Sequence, residues 1–255
     1  MNAPAPAPPG VYVGTCGWNY RQWRTGFYRG VPQRAWLAHC GRRFTGLEID
    51  SSFYRLPAAD TLRRWAGQVP EDFGFALKGS RFITHRKRLR DPREPVAVLR
   101  DRARVLGPRL RAVLWQLPPG FGRDDARLQG FLSALAGWPE VGHVLEFRHP
   151  DWFCDVVAAR LQAAGVGVCL SDAPDWPPWE VVTGPRVYCR LHGRPRLYAS
   201  AYDDRALDAW AGRVRAWHAR GLEVHVYFDN DAEGAAPGDA LGLLARLGRD
   251  RGPVA

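Results

Sequence analysis

Short runs of hydrophobic residues recur along the chain at intervals of roughly 30 residues. There are eight, and they read VYVGT from residue 11, GLEID from 46, FGFALK from 73, AVLWQL from 112, HVLEFR from 143, VGVCLS from 166, VYCRLH from 187 and EVHVYFDN from 223. Runs of this length are typical of buried strands. The segments between them carry hydrophobic residues at three- and four-residue spacing, as in Leu128, Phe131, Leu132 and Leu135, which predicts amphipathic helices.

The order of these elements predicts the fold class. Strand and helix alternate eight times, which is the signature of parallel βα units. Asp60 and Asp124 are predicted to cap the starts of two helices, and Gly165 and Gly221 to end two others. Eight units within about 240 residues fit a closed barrel better than an open sheet. We therefore predict an α/β protein with a single (β/α)8 TIM barrel over residues 11–250, preceded by a disordered Ala/Pro-rich tail over residues 1–10.

The stretch VLEFRHPDW, from residue 144, carries charge inside an otherwise hydrophobic strand. Side chains alternate between the two faces of a strand, so Leu145 and Phe147 share one face while Glu146 and Arg148 share the other. In a barrel the outer face is covered by helices and must be hydrophobic, so the charged face points to the axis. The same reasoning predicts an inward direction for Glu48, Asp50, Lys78, Gln116, Glu146, Arg148, Ser171, Arg190, His192, Tyr227 and Asp229. They lie toward the C-terminal ends of the strands, where TIM barrels build active sites, so we expect a polar, charged pocket there.

The composition of the chain indicates which kind of partner it binds and in which cellular compartment it lies. The net charge of +10 favours anionic partners, although 34 of the 36 basic residues are arginine, as a GC-rich coding bias would produce, and only Lys78 and Lys87 are lysine. The five cysteines are odd in number and contain no C-x-x-C, which fits reduced, buried thiols better than disulfides or a zinc site. The sequence has neither a secretory leader nor a run of about 18 apolar residues, so we expect a cytoplasmic protein without a membrane span.

Three inward cations indicate anion binding. Lys78, Arg148 and Arg190 are expected to converge on one concave surface, an arrangement suited to a phosphate or a carboxylate. The alternative is that they only neutralise the inward carboxylates. Further basic residues follow strand three in GSRFITHRKRLRD and strand seven in HGRPRLY, and the latter place often binds phosphate in barrels. Aromatic residues in the loops at strand ends, such as Trp18, Tyr20, Tyr54 and Tyr198, offer surfaces on which bases or sugar rings could stack.

Two histidines are candidates for chemistry. His192 lies on the inward face of its strand and, with Glu146 or Asp172 nearby, could act as a general acid or base. The alternative is a histidine whose hydrogen bonds are satisfied within the core. His85 lies in the basic loop after strand three and is a candidate ligand contact, whereas His225 lies low in its strand and is not.

Metal and cofactor chemistry is weakly supported. Glu146, Asp172, His192 and Asp229 could hold Mg²⁺, Mn²⁺ or Zn²⁺, but the cations interleaved among them would repel a metal. We therefore predict no required metal and no cofactor. The chain contains no G-x-G-x-x-G, P-loop, G-x-S-x-G or H-E-x-x-H motif. The sequence therefore does not support a dinucleotide-binding protein, an NTPase, a serine hydrolase or a zincin.

Seven segments resemble, in order and spacing, the hallmark segments of the YecE-like family, domain of unknown function 72: GTCGWNYRQW, GLEIDSSFYRLP, FALKGSRFITH, LWQLPPGF, LEFRHPDW, YCRLHGR and VYFDND. The resemblance extends from about residue 11 to residue 248 and implies a TIM barrel, while leaving the activity open. Position by position it implies a site formed by Glu48, Lys78, Gln116, Glu146, Arg148, His149, Asp172, Arg190, His192 and Asn230. Asp50 and Asp229 depart from the family pattern, which has Asn at both places, so this chain carries extra negative charge at the barrel mouth.

One principal hypothesis and two alternatives follow. The principal hypothesis is an enzyme that binds a phosphate-bearing substrate, either a small anionic molecule such as a nucleotide or a nucleic acid, and hydrolyses it. The catalytic residues would be Glu146, His192, Asp172 and Lys78. The substrate would be bound by Glu48, His85, Gln116, Arg148, His149, Arg190 and Asn230. The alternatives are a non-catalytic nucleic-acid-binding or scaffold barrel, and a sugar-processing enzyme in which Glu146 and either Glu48 or Asp172 are the acid and base. The oligomeric state is left open.

Overall fold

The computed structural model describes residues 7–248. All eight predicted strands are present, and each begins and ends within two residues of the predicted bounds. The strands are β1 (Val11–Thr15), β2 (Gly46–Ile49), β3 (Gly74–Lys78), β4 (Leu110–Gln116), β5 (Gly142–Glu146), β6 (Gly167–Asp172), β7 (Arg186–Leu191) and β8 (Glu223–Phe228).

The strands form one parallel sheet in the order β1-β8-β7-β6-β5-β4-β3-β2. The two edges of the sheet meet where the backbones of Cys16 and Glu48 form a parallel β-bridge. The Gly17 amide donates to the Glu48 carbonyl there at 2.8 Å. The backbones approach closely at this seam, since a Cβ on Gly14 would lie 1.9 Å from the carbonyl oxygen of Gly46. The sheet therefore closes on itself, and the predicted (β/α)8 TIM barrel is confirmed.

Within residues 7–248 seven α-helices surround the sheet: α1 (Trp36–Gly41), α2 (Ala59–Ala66), α3 (Arg93–Ala103), α4 (Asp125–Leu135), α5 (Asp155–Ala163), α6 (Asp204–Ala219) and α7 (Ala236–Gly248). The prediction of eight alternations is wrong at one place, because residues 173–185, all within the described range, form a loop between β6 and β7. The sequence APDWPPWEVVTGP explains the loop, since each proline lacks an amide donor and disfavours helix at the preceding residue.

The predicted helix ends are confirmed at three of four positions. Asp124 caps α4 by accepting from the Arg127 amide at 3.0 Å. Gly165 and Gly221 follow α5 and α6 with φ of +64° and +76°, the left-handed conformation that glycine adopts without strain. The prediction for Asp60 is wrong, because α2 begins one residue earlier and Asp60 lies in its first turn, where it pairs with Arg63.

The core has the two layers that the alternation of side chains predicts. Outward residues such as Leu145 and Phe147 pack under the helices, and the lower axis is filled by a second buried cluster of Cys16, Ala76, Ala112, Leu114, Val144, Cys169, Tyr188 and Tyr227. No helix among residues 7–248 combines the length and the hydrophobicity needed to cross a membrane.

The described part of the predicted tail contacts the barrel. Val11 donates its amide to Pro8 at 3.1 Å, and Val224 donates to Gly10 at 2.9 Å. Residues 1–6 of the tail, and residues 249–250 of the predicted domain, lie outside the described residues.

A buried histidine links the stability of the barrel to pH. His143, at the start of β5, accepts from the Trp115 indole N–H through Nδ1 at 3.3 Å. Its Nε2 therefore carries the proton and donates to the Trp138 carbonyl at 2.9 Å. Burial lowers the pKa of His143 to about 4.

We expect acid to destabilise the protein partly through His143. The unfolded histidine titrates near pH ~6.5, so between there and pH 4 the unfolded state binds more protons, and the stabilisation present above pH ~6.5 is lost as the pH falls. His143→Gln removes this contribution. Urea denaturation at pH 7 and pH 5 should show that the wild type loses about 2 kcal/mol more than the variant. Equal losses in the two proteins would contradict the assignment.

Candidate functional site

One buried arginine organises the C-terminal end of the barrel. Arg190 on β7 is 2% exposed and binds Glu48 of β2 with two hydrogen bonds, both of 3.1 Å. It also donates to Glu146 of β5 at 3.2 Å and to Asp229, directly after β8, at 2.8 Å. A single guanidinium therefore binds three carboxylates, which come from β2, β5 and the residue directly after β8.

The two glutamates of this network are fully engaged. The Tyr188 hydroxyl donates to Glu48 at 2.7 Å, and Arg148 donates to the second oxygen of Glu146 at 2.8 and 2.6 Å. Both glutamates are completely buried. Burial acts to raise the pKa of Glu146, but Arg148 and Arg190 together hold that pKa well below its ordinary value. Glu146 is therefore ionised at any physiological pH.

A cavity of about 420 Å³ lies above the network. Its lining consists of Phe53, Tyr54, Lys78, Arg81, His85, Arg86, Gln116, Arg148, Arg190, Tyr198 and Asp229. Five of these residues are cations and one is a carboxylate, and that carboxylate is already bound to Arg190. We call this space the cationic cavity, because its positive charge exceeds what its own lining neutralises.

Two residues of the cationic cavity have unused binding capacity. Lys78, the last residue of β3, holds its ammonium 4.6 Å from the Phe53 ring centroid. No carboxylate among the described residues lies within 4.0 Å of this ammonium. Gln116, the last residue of β4, is 8% exposed, and its side-chain amide has no hydrogen-bond partner within residues 7–248. Both side chains can therefore bind a ligand without breaking an internal contact.

His85 presents a neutral imidazole to the cationic cavity. It lies in a single π-helical turn (Phe82–Arg86), with Nδ1 2.9 Å from the Thr84 hydroxyl. In the tautomer in which that hydroxyl donates to the Ser80 carbonyl at 3.3 Å, Nδ1 of His85 donates to the hydroxyl and Nε2 keeps its lone pair. Burial, followed by the charges of Lys78 and Arg148, lowers the pKa of His85. The ring is therefore an acceptor near neutral pH.

His192 lies behind the lining. It is completely buried, with Nδ1 3.1 Å from an Asp229 oxygen, and its ring contacts Trp176 and Tyr198 edge-on at 5.1 and 5.4 Å. Burial lowers the pKa of His192, although Asp229 opposes that effect. Burial acts to raise the pKa of Asp229, but Arg190 and His192 lower it to about 2. His192 therefore contacts the cavity through Asp229.

Three residues expected at the site lie elsewhere. Asp172 accepts from Arg194 at 2.5 Å and from Tyr202 at 2.8 Å. Asn230 donates to the carboxylate of Asp239 and to a backbone carbonyl, and His149 accepts from the amide of Asp151. None of the three lines the cationic cavity. The loop after β7 is also neutralised, since Arg194 pairs with Asp172 and Arg196 pairs with Glu233 at 2.9 Å.

The carboxylates considered for a metal are bound to arginines and do not share a common metal position. Glu146 and Asp229 both bind Arg190, while Asp172 binds Arg194. Among residues 7–248, no group of three or more His, Cys, Asp or Glu side chains is arranged to hold a metal ion.

Three residues of the site were not among the predicted catalytic or substrate-binding residues. Tyr188 has the inward parity of β7 but was not selected, and Asp229 was predicted to point inward and was considered only as a metal ligand. Trp176 belongs to the aromatic residues of the strand-end loops, but its ring lies 4.0 Å from the guanidinium of Arg148, a contact that strand parity does not predict.

The chain was compared with known families and structures. The family model described as protein of unknown function DUF72 matches residues 12–254. UPF0759 protein YecE of Escherichia coli K12 is 32% identical over 144 residues, which are 56% of this chain and 50% of the relative, so the match spans half of that relative's length. UPF0759 protein YunF of Bacillus subtilis 168 is 23% identical over 270 residues, covering 93% of this chain and 94% of the relative. The crystal structure of a DUF72 family protein from Thermotoga maritima MSB8 has a TM-score of 0.81 at 25% identity, covering 91% of this chain and 97% of that one.

We expect Arg190 to be essential for stability. Arg190→Met removes the partner that three buried or nearly buried carboxylates share, and should lower the free energy of unfolding by about 3–5 kcal/mol. Arg190→Lys keeps the charge but not the paired hydrogen bonds, and should lose less. Arg194→Met is the control, because its pair with Asp172 is exposed and should contribute about 1 kcal/mol at most. Urea denaturation measures all three. A loss for Arg190→Met no larger than that of the control would show that the network is not the main constraint.

Proposed function

The chain belongs to the family described as protein of unknown function DUF72, and on that premise we propose that it binds a phosphate-bearing substrate in the cationic cavity and hydrolyses it. The observation that carries the proposal is the charge imbalance of the cavity: Arg148 and Arg190 are paired with Glu146, Glu48 and Asp229, whereas no ion pair within residues 7–248 engages Lys78, Arg81 or Arg86. A doubly charged phosphate would supply the missing negative charge.

The donors suit a phosphate group. The arginines Arg148 and Arg190 are held in place by Glu146 and Glu48, so their guanidinium groups are fixed before a ligand arrives. Lys78 offers a compact point charge that needs no rearrangement, and Gln116 offers an amide for orientation. In this proposal the glutamates position arginines and do not transfer protons, which revises the role expected from the sequence.

His85 is the proton acceptor in the proposed reaction. A water oxygen attacks phosphorus while Nε2 of His85 takes one proton of the water; the ester P–O bond breaks, and its oxygen leaves with the electron pair as an alkoxide that solvent water protonates. The surrounding cations stabilise the charge that spreads over the phosphoryl oxygens. His192 acts indirectly, by positioning Asp229.

The rival functions have less support. In a sugar-processing enzyme the two carboxyl groups would have to reach the substrate, whereas Glu48 and Glu146 are completely buried on the guanidinium of Arg190. A non-catalytic binding protein would share the cationic cavity and differ only in turnover. We also propose a reducing compartment such as the cytoplasm, since all five cysteines are free thiols.

We expect Lys78→Met to weaken phosphate binding. Of the three described cations at strand ends, Lys78, Arg148 and Arg190, only Lys78 has no carboxylate partner. Its removal should therefore raise the dissociation constant for inorganic phosphate about tenfold or more. Isothermal titration calorimetry measures it. Lys87→Met is the matched control, since Lys87 is the other lysine of the chain, pairs with Asp91 at 3.6 Å and lies outside the cavity. Equal effects of the two variants, or no phosphate binding by the wild type, would contradict the proposal.

The catalytic part of the proposal is tested by His85→Gln. We expect turnover of p-nitrophenyl phosphate to fall by about 100-fold or more, while phosphate affinity changes little. The pKa of His85 is lowered, so wild-type turnover should persist below pH ~6.5 and then fall as the acceptor becomes protonated. Turnover that is unchanged in the variant would exclude His85 as the base. Phosphate binding by the wild type without any turnover of the ester would favour the non-catalytic alternative.

A further inference from the structure

A second cavity, of about 740 Å³, opens beside the cationic one at the C-terminal side of β1 and β2. It is lined by Gly17, Trp18, Asn19, Tyr20, Gln33, Arg34, Leu37, Asp50, Ser51, Tyr54, Trp65 and Gln68. Tyr54 belongs to the lining of both cavities and is 67% exposed, so a ligand can extend across it from one to the other. Both volumes fall in the range of roughly 300–1,000 Å³ that small-molecule sites occupy.

The walls of the second cavity are aromatic. The rings of Trp18 and Trp65 meet edge-to-face at 4.8 Å, and Tyr20 and Tyr54 complete the aromatic lining. The Arg81 guanidinium lies 5.3 Å from the Tyr54 ring on the side of the cationic cavity. A flat ring that entered here would find faces on which to stack.

The charge of the second cavity is balanced. Among the described residues that line it, one is an arginine, Arg34, and one is an aspartate, Asp50. The cationic cavity has five cations against one carboxylate. The second cavity therefore suits an uncharged group, and it offers no place for a second phosphate.

Two amides in the second cavity form a hydrogen-bonding edge. Gln33 donates its Nε2 to Asn19 Oδ1 at 2.9 Å, and both side chains are exposed. This bond uses one donor of Gln33 and the acceptor of Asn19, so the Nδ2 donors of Asn19 and the Oε1 acceptor of Gln33 have no partner among the described residues. A donor and an acceptor from two bonded side chains are the groups that pair with the edge of a nucleobase.

We propose that the second cavity binds the base of a nucleoside monophosphate whose phosphate lies in the cationic cavity. This inference rests on the proposed function and names its substrate class. The ribose spans Tyr54, the base stacks on the aromatic wall, and its edge pairs with Asn19 and Gln33. A polynucleotide fits less well, because its next phosphate would need cations that the second cavity does not supply.

The test compares ligands that share the phosphate and differ in the base. Titration calorimetry on the full chain uses AMP, GMP, CMP, UMP and ribose 5-phosphate, with a six-nucleotide single-stranded DNA as a further ligand. At least one nucleotide should bind about tenfold or more tightly than ribose 5-phosphate. The double variant Asn19→Ala/Gln33→Ala should lower that ratio, leaving only the part that comes from stacking on the aromatic wall. Lys78→Met should weaken the nucleotide and ribose 5-phosphate alike and leave the ratio unchanged.

The outcomes separate this inference from the proposed function. Equal binding of nucleotides and ribose 5-phosphate by the wild type would overturn the base subsite and leave the phosphate site standing. Binding of neither would overturn both. Tighter binding of the six-nucleotide DNA than of any mononucleotide would overturn the monophosphate assignment and favour a nucleic acid. A ratio that the double variant leaves unchanged would show that the two amides do not contact the base.

Discussion

The cost of burying charge governs the upper half of this barrel. Glu48 and Glu146 are completely buried, which is possible only because the Arg190 guanidinium meets both of them and Asp229 as well. These contacts join β2, β5, β7 and the end of β8 across the barrel axis. The same contacts therefore stabilise the closed ring and hold the floor of the candidate site in one arrangement.

The network also decides what remains available for a ligand. Because Glu48 and Glu146 are bound to Arg190 and Arg148, neither forms an ion pair with the other lining cations, Lys78, Arg81 and Arg86. Lys78 contacts the face of Phe53 instead of a carboxylate, and the cationic cavity keeps an excess of positive charge. A fixed excess of this kind costs no rearrangement when an anion binds, which is the condition under which charge contributes most to affinity.

The position of each histidine follows from the same electrostatics. His85 is next to cations and is partly open to the cavity, so it is neutral and able to accept a proton. His192 is enclosed by Trp176 and Tyr198, and within residues 7–248 its one ion-pair contact is with Asp229. The two imidazoles therefore differ in access, since His85 lines the cavity from the turn after β3 and His192 lies behind it.

The sequence by itself determined the eight strands, seven of the eight helical segments it predicted and the face of each strand that points to the axis, because these depend on short periodicities along the chain. It also selected Lys78, Gln116, Arg148 and Arg190 as pocket residues. Only the tertiary structure decided which charges pair, since Arg190 and Glu48 are 142 residues apart and meet through ring closure. The tertiary structure also decided that Asp172 binds Arg194 and Tyr202, and that Asn230 binds Asp239. A two-residue period states the direction of a side chain, whereas its partner depends on the tilt and order of the strands around the barrel.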